Sequence, residues 1–241
     1  MTTMKAVADL RVKIFGDGAD LPRMIELYGL PWIRGFTTNP TLMNKARIRD
    51  YRAFAKEVIA AIPDRPLSFE VFSDEFVEME RQAREIATWG SNVYVKIPVT
   101  NTRREPASDL NGRLAHAGVQ VNVTAVMTLQ QVRDVVEQLR GGAASCVSVF
   151  AGRIADTGRD PLPIMREAVS ILRAEPRAEL IWASPRELLN IFQADDIGCH
   201  IITVTHDILS RLRNVGRDLD DYSLETVRMF YDDARKAGLA L

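Results

Sequence analysis

Lys96 has the clearest chemical meaning in this sequence of 241 residues, because it interrupts the apolar run NVYVKIPV at 92–99. An ammonium group is costly to bury in such a segment. Burial therefore favours the neutral amine, which is the form that attacks a ketone to give an imine. The alternative is a lysine near a strand end, with a buried stem and an ammonium that reaches water. The local pattern alone leaves both interpretations open.

Two carboxylates, Asp17 and Glu70, are suited to proton transfer around such a lysine. Asp17 lies in the segment GDGAD, where an aspartate is also common in a turn or as a helix cap. Asp20 is the better candidate for the cap. Glu70 interrupts the apolar strand pattern SFEVF, and its structural alternative is a salt bridge to Lys96. Together the three residues predict acid/base chemistry at an amine.

Arg153, Ser184 and Arg186 form a second group, which follows two neighbouring predicted strands. Two cations and a hydroxyl suit a phosphate, and barrel enzymes often bind phosphate in the last loops after their strands. The alternative for either arginine is a surface ion pair, which is the commoner fate of a single arginine. The coincidence of the three favours a phosphate site.

Other kinds of chemistry have little support. His116, His200 and His206 show no metal-ligand spacing with one another or with the cysteines, and His116 is predicted on a helix surface. The sequence has neither a GxGxxG nor a GxxxxGK[ST] motif, and it lacks the nucleophile elbow of serine hydrolases. We therefore predict no metal and no cofactor.

Short β-branched runs alternate with longer amphipathic stretches, as in a chain of βα units. Turn residues mark many of the junctions. Eight strands are predicted, at 12–16, 32–36, 67–72, 93–97, 119–123, 146–150, 180–183 and 200–204.

Eight βα units of this size predict a (β/α)₈ TIM barrel, an α/β fold in which the strand ends converge on one face. Residues able to do chemistry recur at or after these ends. They are Asp17, Thr37, Thr38, Asn39, Glu70, Lys96, Asn122, Thr124, Ser148, Arg153, Ser184 and Arg186.

We predict one domain over residues 1–241, with the barrel at about 11–215 and an additional C-terminal helix at about 222–239. Helical periodicity is clear in Val132, Val135, Val136 and Leu139. The C-terminal helix carries an apolar face that closes the barrel base or lies on a neighbouring subunit, and the sequence does not choose between them.

Composition points to a small-molecule partner. The formal net charge is −1, without a long basic run, so nucleic acid and anionic membranes are not expected partners. No apolar run approaches the length of a membrane span, and the first residues lack the pattern of an export signal. Cys146 and Cys199 lie in apolar contexts and are predicted to be reduced core residues. We expect a cytoplasmic protein.

Four motifs occur in the order found in one family: GFTTNPTL around Asn39, VYVKIPVT around Lys96, NVTAV around Thr124 and SVFAGRIAD around Arg153. The sequence resembles the transaldolase family, which includes short-branch transaldolases and the related fructose-6-phosphate aldolases. The resemblance covers about residues 12–212.

The resemblance implies a role for each matching residue. Lys96 would form the Schiff base, with Asp17 and Glu70 as the acid/base pair and Thr124 holding a water for Glu70. Asn39 and Ser148 would hold the dihydroxyacetone hydroxyls, with Thr38, Asn122 and Phe150 also near the substrate. Arg153, Ser184 and Arg186 would bind the sugar phosphate.

The implied activity is transfer of a dihydroxyacetone unit from a ketose phosphate to an aldose phosphate. In the family's free aldolases, glutamine aligns with Glu70 and tyrosine aligns with Phe150, so both positions here favour transfer over release. Pro185 departs from the expected aromatic residue between Ser184 and Arg186, which leaves the substrate open.

The alternatives are an aldolase that releases dihydroxyacetone, a barrel that binds sugar phosphates without catalysis, and a metal-dependent aldolase. Short relatives form pentamers or decamers, so the resemblance also implies a homo-oligomer.

Overall fold

Eight parallel strands close into a barrel in this computed structural model, which describes residues 5–239. The strands are β1 (Lys13–Asp17), β2 (Ile33–Thr37), β3 (Leu67–Glu70), β4 (Val93–Pro98), β5 (Val121–Val126), β6 (Ser145–Val149), β7 (Ala178–Trp182) and β8 (Ile201–Thr205). Each strand pairs with the next along the chain, and β1 pairs with β8 to complete the ring. The predicted (β/α)₈ barrel is confirmed.

All eight predicted strands are present, with differences at their ends. The third ends at Glu70, two residues before the predicted end, and the fifth extends to Val126. An irregular register between β5 and β6 lies at Val123 to Val126, and Ala125 within it has a φ of 61°. Such a bulge adds a residue to one strand and turns the nearby side chains.

Helices surround the barrel. They are α1 (Leu21–Tyr28), α2 (Pro40–Lys45), α3 (Tyr51–Ala61), α4 (Phe76–Ala87), α5 (Ser108–His116), α6 (Leu129–Leu139), α7 (Ala151–Ala155), α8 (Leu162–Leu172), α9 (Leu189–Asp196), α10 (His206–Leu209) and α11 (Leu219–Lys236), with 3₁₀ turns at Val7–Asp9 and Ser210–Asn214. Asp20 caps α1 by accepting the Arg23 N–H, as predicted.

The core lies between the strands and the inner faces of these helices. The predicted apolar stripe of α6, formed by Val132, Val135, Val136 and Leu139, is buried. Cys146 and Cys199 are free and buried, and His116 is exposed at the end of α5, also as predicted. Because helices pack against the outer face of the strand ring, the strand ends keep fixed positions relative to one another.

The additional helix α11 begins at Leu219, three residues before its predicted start, where Asp218 caps it. No residue of α11 is buried. No helix in residues 5–239 is long and apolar enough to cross a membrane. The prediction of one domain over 1–241 includes residues 1–4 and 240–241, which lie outside the described part.

Candidate active site

A cavity of about 620 Å³ opens at the carboxyl ends of the strands. Ten of the twelve predicted site residues line it. They are Asp17, Asn39, Glu70, Lys96, Thr124, Ser148, Phe150, Arg153, Ser184 and Arg186. The barrel therefore brings together residues from Asp17 to Arg186 that are far apart in the sequence.

Lys96 lies at the buried end of the cavity and is only 5% exposed. Its Nζ donates to the Thr38 carbonyl at 2.9 Å and lies 3.3 Å from Glu70 Oε2. Burial of the whole side chain rules out the alternative in which Lys96 reaches bulk water. The salt bridge considered for Glu70 is present, and it brings a carboxylate to the amine.

Asp17 stands at the end of β1, where Thr37 and Thr203 orient its carboxylate. The Thr37 hydroxyl donates to Asp17 Oδ1 at 2.7 Å, so the Thr203 hydroxyl, 2.5 Å from Thr37 Oγ1, is left to donate to Thr37. Burial raises the pKa of Asp17, and the Lys96 charge and the Thr37 hydrogen bond oppose that rise. The carboxyl is thereby adapted to exchange a proton.

Glu70 stands beside Lys96 in the register between β3 and β4. Burial also raises the pKa of Glu70; the charge of Lys96 and its hydrogen bond act against this, and the charge of Asp17 adds to it. Two carboxyls with raised pKa, one at the end of β1 and one at the end of β3, thus act on one amine. We call Asp17, Glu70 and Lys96 the lysine end of the cavity.

Thr38 and Asn122 were predicted to bind substrate, and the structure places both behind the cavity lining. The Thr38 hydroxyl donates to the Ser68 carbonyl at 2.9 Å, while the Thr38 carbonyl accepts from Lys96. Asn122 is fully buried, donates to Ser68 Oγ at 3.0 Å and accepts from Ser148 Oγ at 2.7 Å. In this geometry the two residues hold their neighbours in place.

Asn39 caps α2, because its Oδ1 accepts the Leu42 N–H at 3.0 Å. The carboxamide oxygen is occupied in this way, so the Nδ2 group is the part that can donate to a ligand in the cavity. Thus the same side chain starts a helix and presents two donors to the cavity.

Thr124 contributes a buried hydroxyl that has no hydrogen-bond partner among the described residues. It precedes Ala125, whose left-handed backbone belongs to the β5 bulge. A buried hydroxyl is costly to leave unpaired, so it is suited to bind a water or a substrate oxygen.

Arg153, Asp156, Ser184 and Arg186 form the opposite side of the site, which we call the arginine end. Arg186 binds the carboxylate of Asp156 through two nitrogens, at 2.9 and 2.5 Å, and donates to Ser184 Oγ at 3.0 Å. The guanidinium of Arg186 holds the pKa of Asp156 below its usual range. The surface ion pair considered for these arginines therefore occurs at Arg186.

Arg153 differs from Arg186, because it is exposed and has neither a salt bridge nor a side-chain hydrogen bond within residues 5–239. The positive charge of Arg153 also lowers the pKa of Asp156. Of the two arginines, Arg153 has its guanidinium available for an anion.

The backbone at the arginine end depends on Gly152. A Cβ atom on Gly152 would lie 1.5 Å from the Ser184 carbonyl oxygen, so α7 and the segment after β7 touch at a point that only glycine permits. Ser184 itself has a φ of 59°, in the left-handed region. This contact fixes the Ser184 hydroxyl next to Arg186.

Several lining residues were not predicted from the sequence, including Lys45, Thr203, Thr205 and Asp207, whereas Thr37, noted at the end of the second strand, does line the cavity. Thr205 ends β8 and Asp207 follows it, so the rule of strand ends would have found them. Thr203 resembles an ordinary strand threonine and carries no such signal. No three His, Cys, Asp or Glu side chains between residues 5 and 239 group as metal ligands.

Solved structures support the fold. A dihydrodipicolinate synthase from Rhodopseudomonas palustris is 14% identical, covers 96% of this chain and 81% of its own, and superposes with a TM-score of 0.59. A putative phosphonomutase from Burkholderia cenocepacia is 10% identical, with coverages of 92% and 94% and a TM-score of 0.56. At this identity the similarity concerns the barrel alone.

Sequence relatives are more specific. The family model described as transaldolase/fructose-6-phosphate aldolase matches residues 14–241. A probable transaldolase from Thermoanaerobacter sp. is 37% identical over 95% of this chain and 100% of its own. Probable transaldolases from Dehalococcoides mccartyi, 35% identical over 83% of this chain and 90% of its own, and from Syntrophomonas wolfei, 31% identical over 94% and 100%, also match. The chain belongs to the transaldolase/fructose-6-phosphate aldolase family.

Proposed function

We propose that this protein is a transaldolase that transfers a dihydroxyacetone unit from a ketose phosphate to an aldose phosphate through a Schiff base on Lys96. The observation that carries the proposal is the buried amine of Lys96, 3.3 Å from Glu70 Oε2, in a cavity that Asp17 also lines. Its family membership supports the same activity.

In the proposed reaction, the neutral Lys96 amine attacks C2 of the ketose phosphate. Loss of the C2 oxygen as water leaves an iminium, which withdraws electrons from the adjacent C3–C4 bond. Asp17 takes the proton of the C4 hydroxyl, the C3–C4 bond breaks, and the aldose phosphate leaves. The bonding electrons remain on the enzyme as an enamine.

The enamine then attacks the carbonyl of an acceptor aldose phosphate, and the same steps run in reverse. Glu70, through a water bound to Thr124, is the proposed group for the proton transfers that form and hydrolyse the imine. The raised pKa of both carboxyls supports these roles, because each can bind and release a proton nearer to neutral pH.

The residues around the substrate support a polar, phosphorylated ligand. Asn39 and Ser148 line the cavity and are the proposed contacts to the dihydroxyacetone hydroxyls. Arg153 is the proposed primary contact to the phosphate, because Arg186 is already bound to Asp156. Arg186 can offer the phosphate only the N–H groups that Asp156 does not bind. Ser184 completes the proposed phosphate site.

The first experiment is borohydride reduction of the protein with fructose 6-phosphate, followed by intact-mass measurement and peptide mapping. We expect a dihydroxyacetone-derived adduct on Lys96 and no adduct in the Lys96→Met variant. Lys45→Met is the matched control, because Lys45 also lines the cavity but lies exposed on α2. Persistence of the adduct in Lys45→Met, and its loss only in Lys96→Met, would support the mechanism.

Binding of fructose 6-phosphate without any reducible adduct would instead favour a barrel that binds sugar phosphates without catalysis. Activity that is lost on treatment with a chelator and restored by a metal would favour the metal-dependent aldolase. Both outcomes contradict a lysine Schiff base.

Transfer and release are separated by the acceptor. Phe150 on the cavity wall has no hydroxyl to assist protonation of the enamine, which supports transfer. We expect little free dihydroxyacetone from fructose 6-phosphate alone, and rapid turnover once an aldose phosphate is added. Steady release of dihydroxyacetone without an acceptor would identify a fructose-6-phosphate aldolase.

We also propose a homo-oligomer, a pentamer or decamer, with α11 as a contact surface. Apolar side chains recur along this helix, and Val227, Met229 and Phe230 are 59%, 51% and 63% exposed. Light scattering of the purified protein, with Phe230→Glu as the variant, tests this. A wild-type monomer would contradict it.

The free, buried cysteines support the proposal of a reducing, cytoplasmic location.

A further inference from the structure

The hydrogen bonds between β2 and β3 follow the parallel pattern up to the site and then stop. The Phe36 N–H donates to the Pro66 carbonyl at 2.9 Å, and the Thr38 N–H donates to the Ser68 carbonyl at 3.1 Å. In a regular parallel ladder the next bond runs from the Glu70 N–H to the Thr38 carbonyl. Both of these groups have other partners here.

The Glu70 backbone is bound by a side chain. Its N–H donates to the Tyr51 hydroxyl oxygen at 2.7 Å, and the Tyr51 hydroxyl donates to the Glu70 carbonyl at 3.0 Å. Tyr51 is the first residue of α3, which follows β2 in the chain. One hydroxyl thus occupies the position of a strand neighbour for both polar groups of Glu70.

The Thr38 carbonyl is released from the ladder by this arrangement, and it accepts from Lys96 Nζ at 2.9 Å. A carbonyl that accepted from the Glu70 N–H would lie in the plane of the sheet, directed at β3. The register of β2 and β3 instead ends at the pair Thr37 and Ser68, and the Thr38 carbonyl accepts from the amine. The Tyr51 hydroxyl therefore replaces the Thr38 carbonyl as the hydrogen-bond partner of the Glu70 N–H. The same replacement leaves the Thr38 carbonyl to accept from Lys96.

We propose that Tyr51 is a positioning residue for the reaction: its hydroxyl fixes the backbone of Glu70 and thereby frees the Thr38 carbonyl to orient the Lys96 amine. The inference rests on the proposed Schiff-base function for its kinetic consequences. Tyr51 does not line the cavity, so it acts through Glu70 and Lys96 and touches no substrate.

The ring of Tyr51 is held where this role requires it. It packs against Phe69, Phe72 and Trp89, with ring centroids 6.1, 4.6 and 5.4 Å away. Burial raises the pKa of Tyr51, which keeps the hydroxyl protonated and able to donate to the Glu70 carbonyl. The aromatic contacts survive if the hydroxyl alone is removed.

The test is Tyr51→Phe, compared with Tyr28→Phe as the matched control. Tyr28 is also partly buried, and its hydroxyl donates to Asp64 at 2.7 Å near the amino ends of β2 and β3, away from the cavity. We expect kcat for transfer to fall about tenfold in Tyr51→Phe with KM within about twofold, and the acid limb of the pH profile to move. Tyr28→Phe should retain both constants.

A crystal structure of Tyr51→Phe provides a readout independent of activity. We expect the Glu70 N–H to move to the Thr38 carbonyl and Lys96 Nζ to lose that acceptor. Unchanged positions of Thr38, Glu70 and Lys96, together with unchanged kcat and pH profile, would overturn the inference. If the wild type forms no borohydride adduct, the proposed function fails, and the crystal structure still decides whether Tyr51 orients Glu70 and Lys96.

Discussion

The two ends of the cavity treat charge in opposite ways. At the lysine end, burial raises the pKa of Asp17 and Glu70, and Lys96 is almost completely enclosed. At the arginine end, the exposed pair of Arg186 and Asp156 lowers the pKa of the carboxyl. One end keeps protons exchangeable, and the other keeps its charges permanent.

This contrast follows from what each end must do in the proposed reaction. Proton transfer is efficient when the pKa of a group lies near the working pH, and burial raises the pKa of both carboxyls in that direction. Binding of an anion requires a cation that stays charged and can exchange water for ligand, which exposure allows. Variants at the lysine end should therefore lower kcat, whereas variants at the arginine end should raise KM.

The largest effect is expected for Asp17→Asn. An amide cannot accept the proton of the C4 hydroxyl, so kcat should fall by about 10²- to 10⁴-fold. Asp20→Asn is the matched control, because asparagine also caps a helix well and Asp20 lies only at the start of α1. Steady-state kinetics with a saturating acceptor measures both. Equal activity of the two variants would remove Asp17 from the proposed mechanism.

The arginine end should respond in KM. Arg153→Ala removes the guanidinium that has no internal partner, and we expect KM for fructose 6-phosphate to rise about 10- to 100-fold with kcat nearly retained. Arg159→Ala, which removes an exposed arginine bonded to Thr157, should change neither constant. Loss of kcat in Arg153→Ala without a change in KM would break the division between the two ends.

Gly152→Ala tests whether the arginine end depends on close backbone contact. The new Cβ would lie 1.5 Å from the Ser184 carbonyl oxygen, so α7 and the segment after β7 must separate. We expect the free energy of unfolding to fall by about 1–3 kcal/mol, together with weaker sugar-phosphate binding. Gly18→Ala is the control for unfolding, because a Cβ there meets no atom within 4 Å. Equal denaturation midpoints would contradict the predicted overlap.

The smallest effect concerns titration. The ammonium of Lys96 lowers the pKa of both Asp17 and Glu70, so Lys96→Met should raise both values further. The pKa of Asp156 is set by Arg186 and should not move. Carboxyl-carbon NMR titration measures all three groups. A downward shift at Asp17 or Glu70 would show that Lys96 is not their main charged neighbour.

The same raised values give the sign for stability. A carboxyl with a raised pKa in the folded state favours folding most when it is protonated. The contribution of Asp17 and Glu70 to the free energy of unfolding should therefore decline as pH rises from their ordinary range through their raised pKa. Asp17→Asn should make this decline shallower in denaturant titrations.

Much of the fold could be predicted because it depends on local periodicity. All eight strands and the buried stripe of α6 follow from alternating β-branched runs and helical spacing. The predicted strand ends were less accurate where a side chain, and not the neighbouring strand, binds the backbone. Glu70 is the example, because its N–H donates to the Tyr51 hydroxyl. Periodicity contains no information about such a contact.

The sequence by itself determined the barrel and the types of residue that follow each strand, because parallel strands necessarily bring their carboxyl ends together. Only the tertiary structure decided which of these residues meet the cavity: Thr38 and Asn122 lie behind its lining, Arg186 is bound to Asp156, and Arg153 is not. Side-chain direction and ion pairing depend on contacts between distant segments, and these exist only after the barrel has closed.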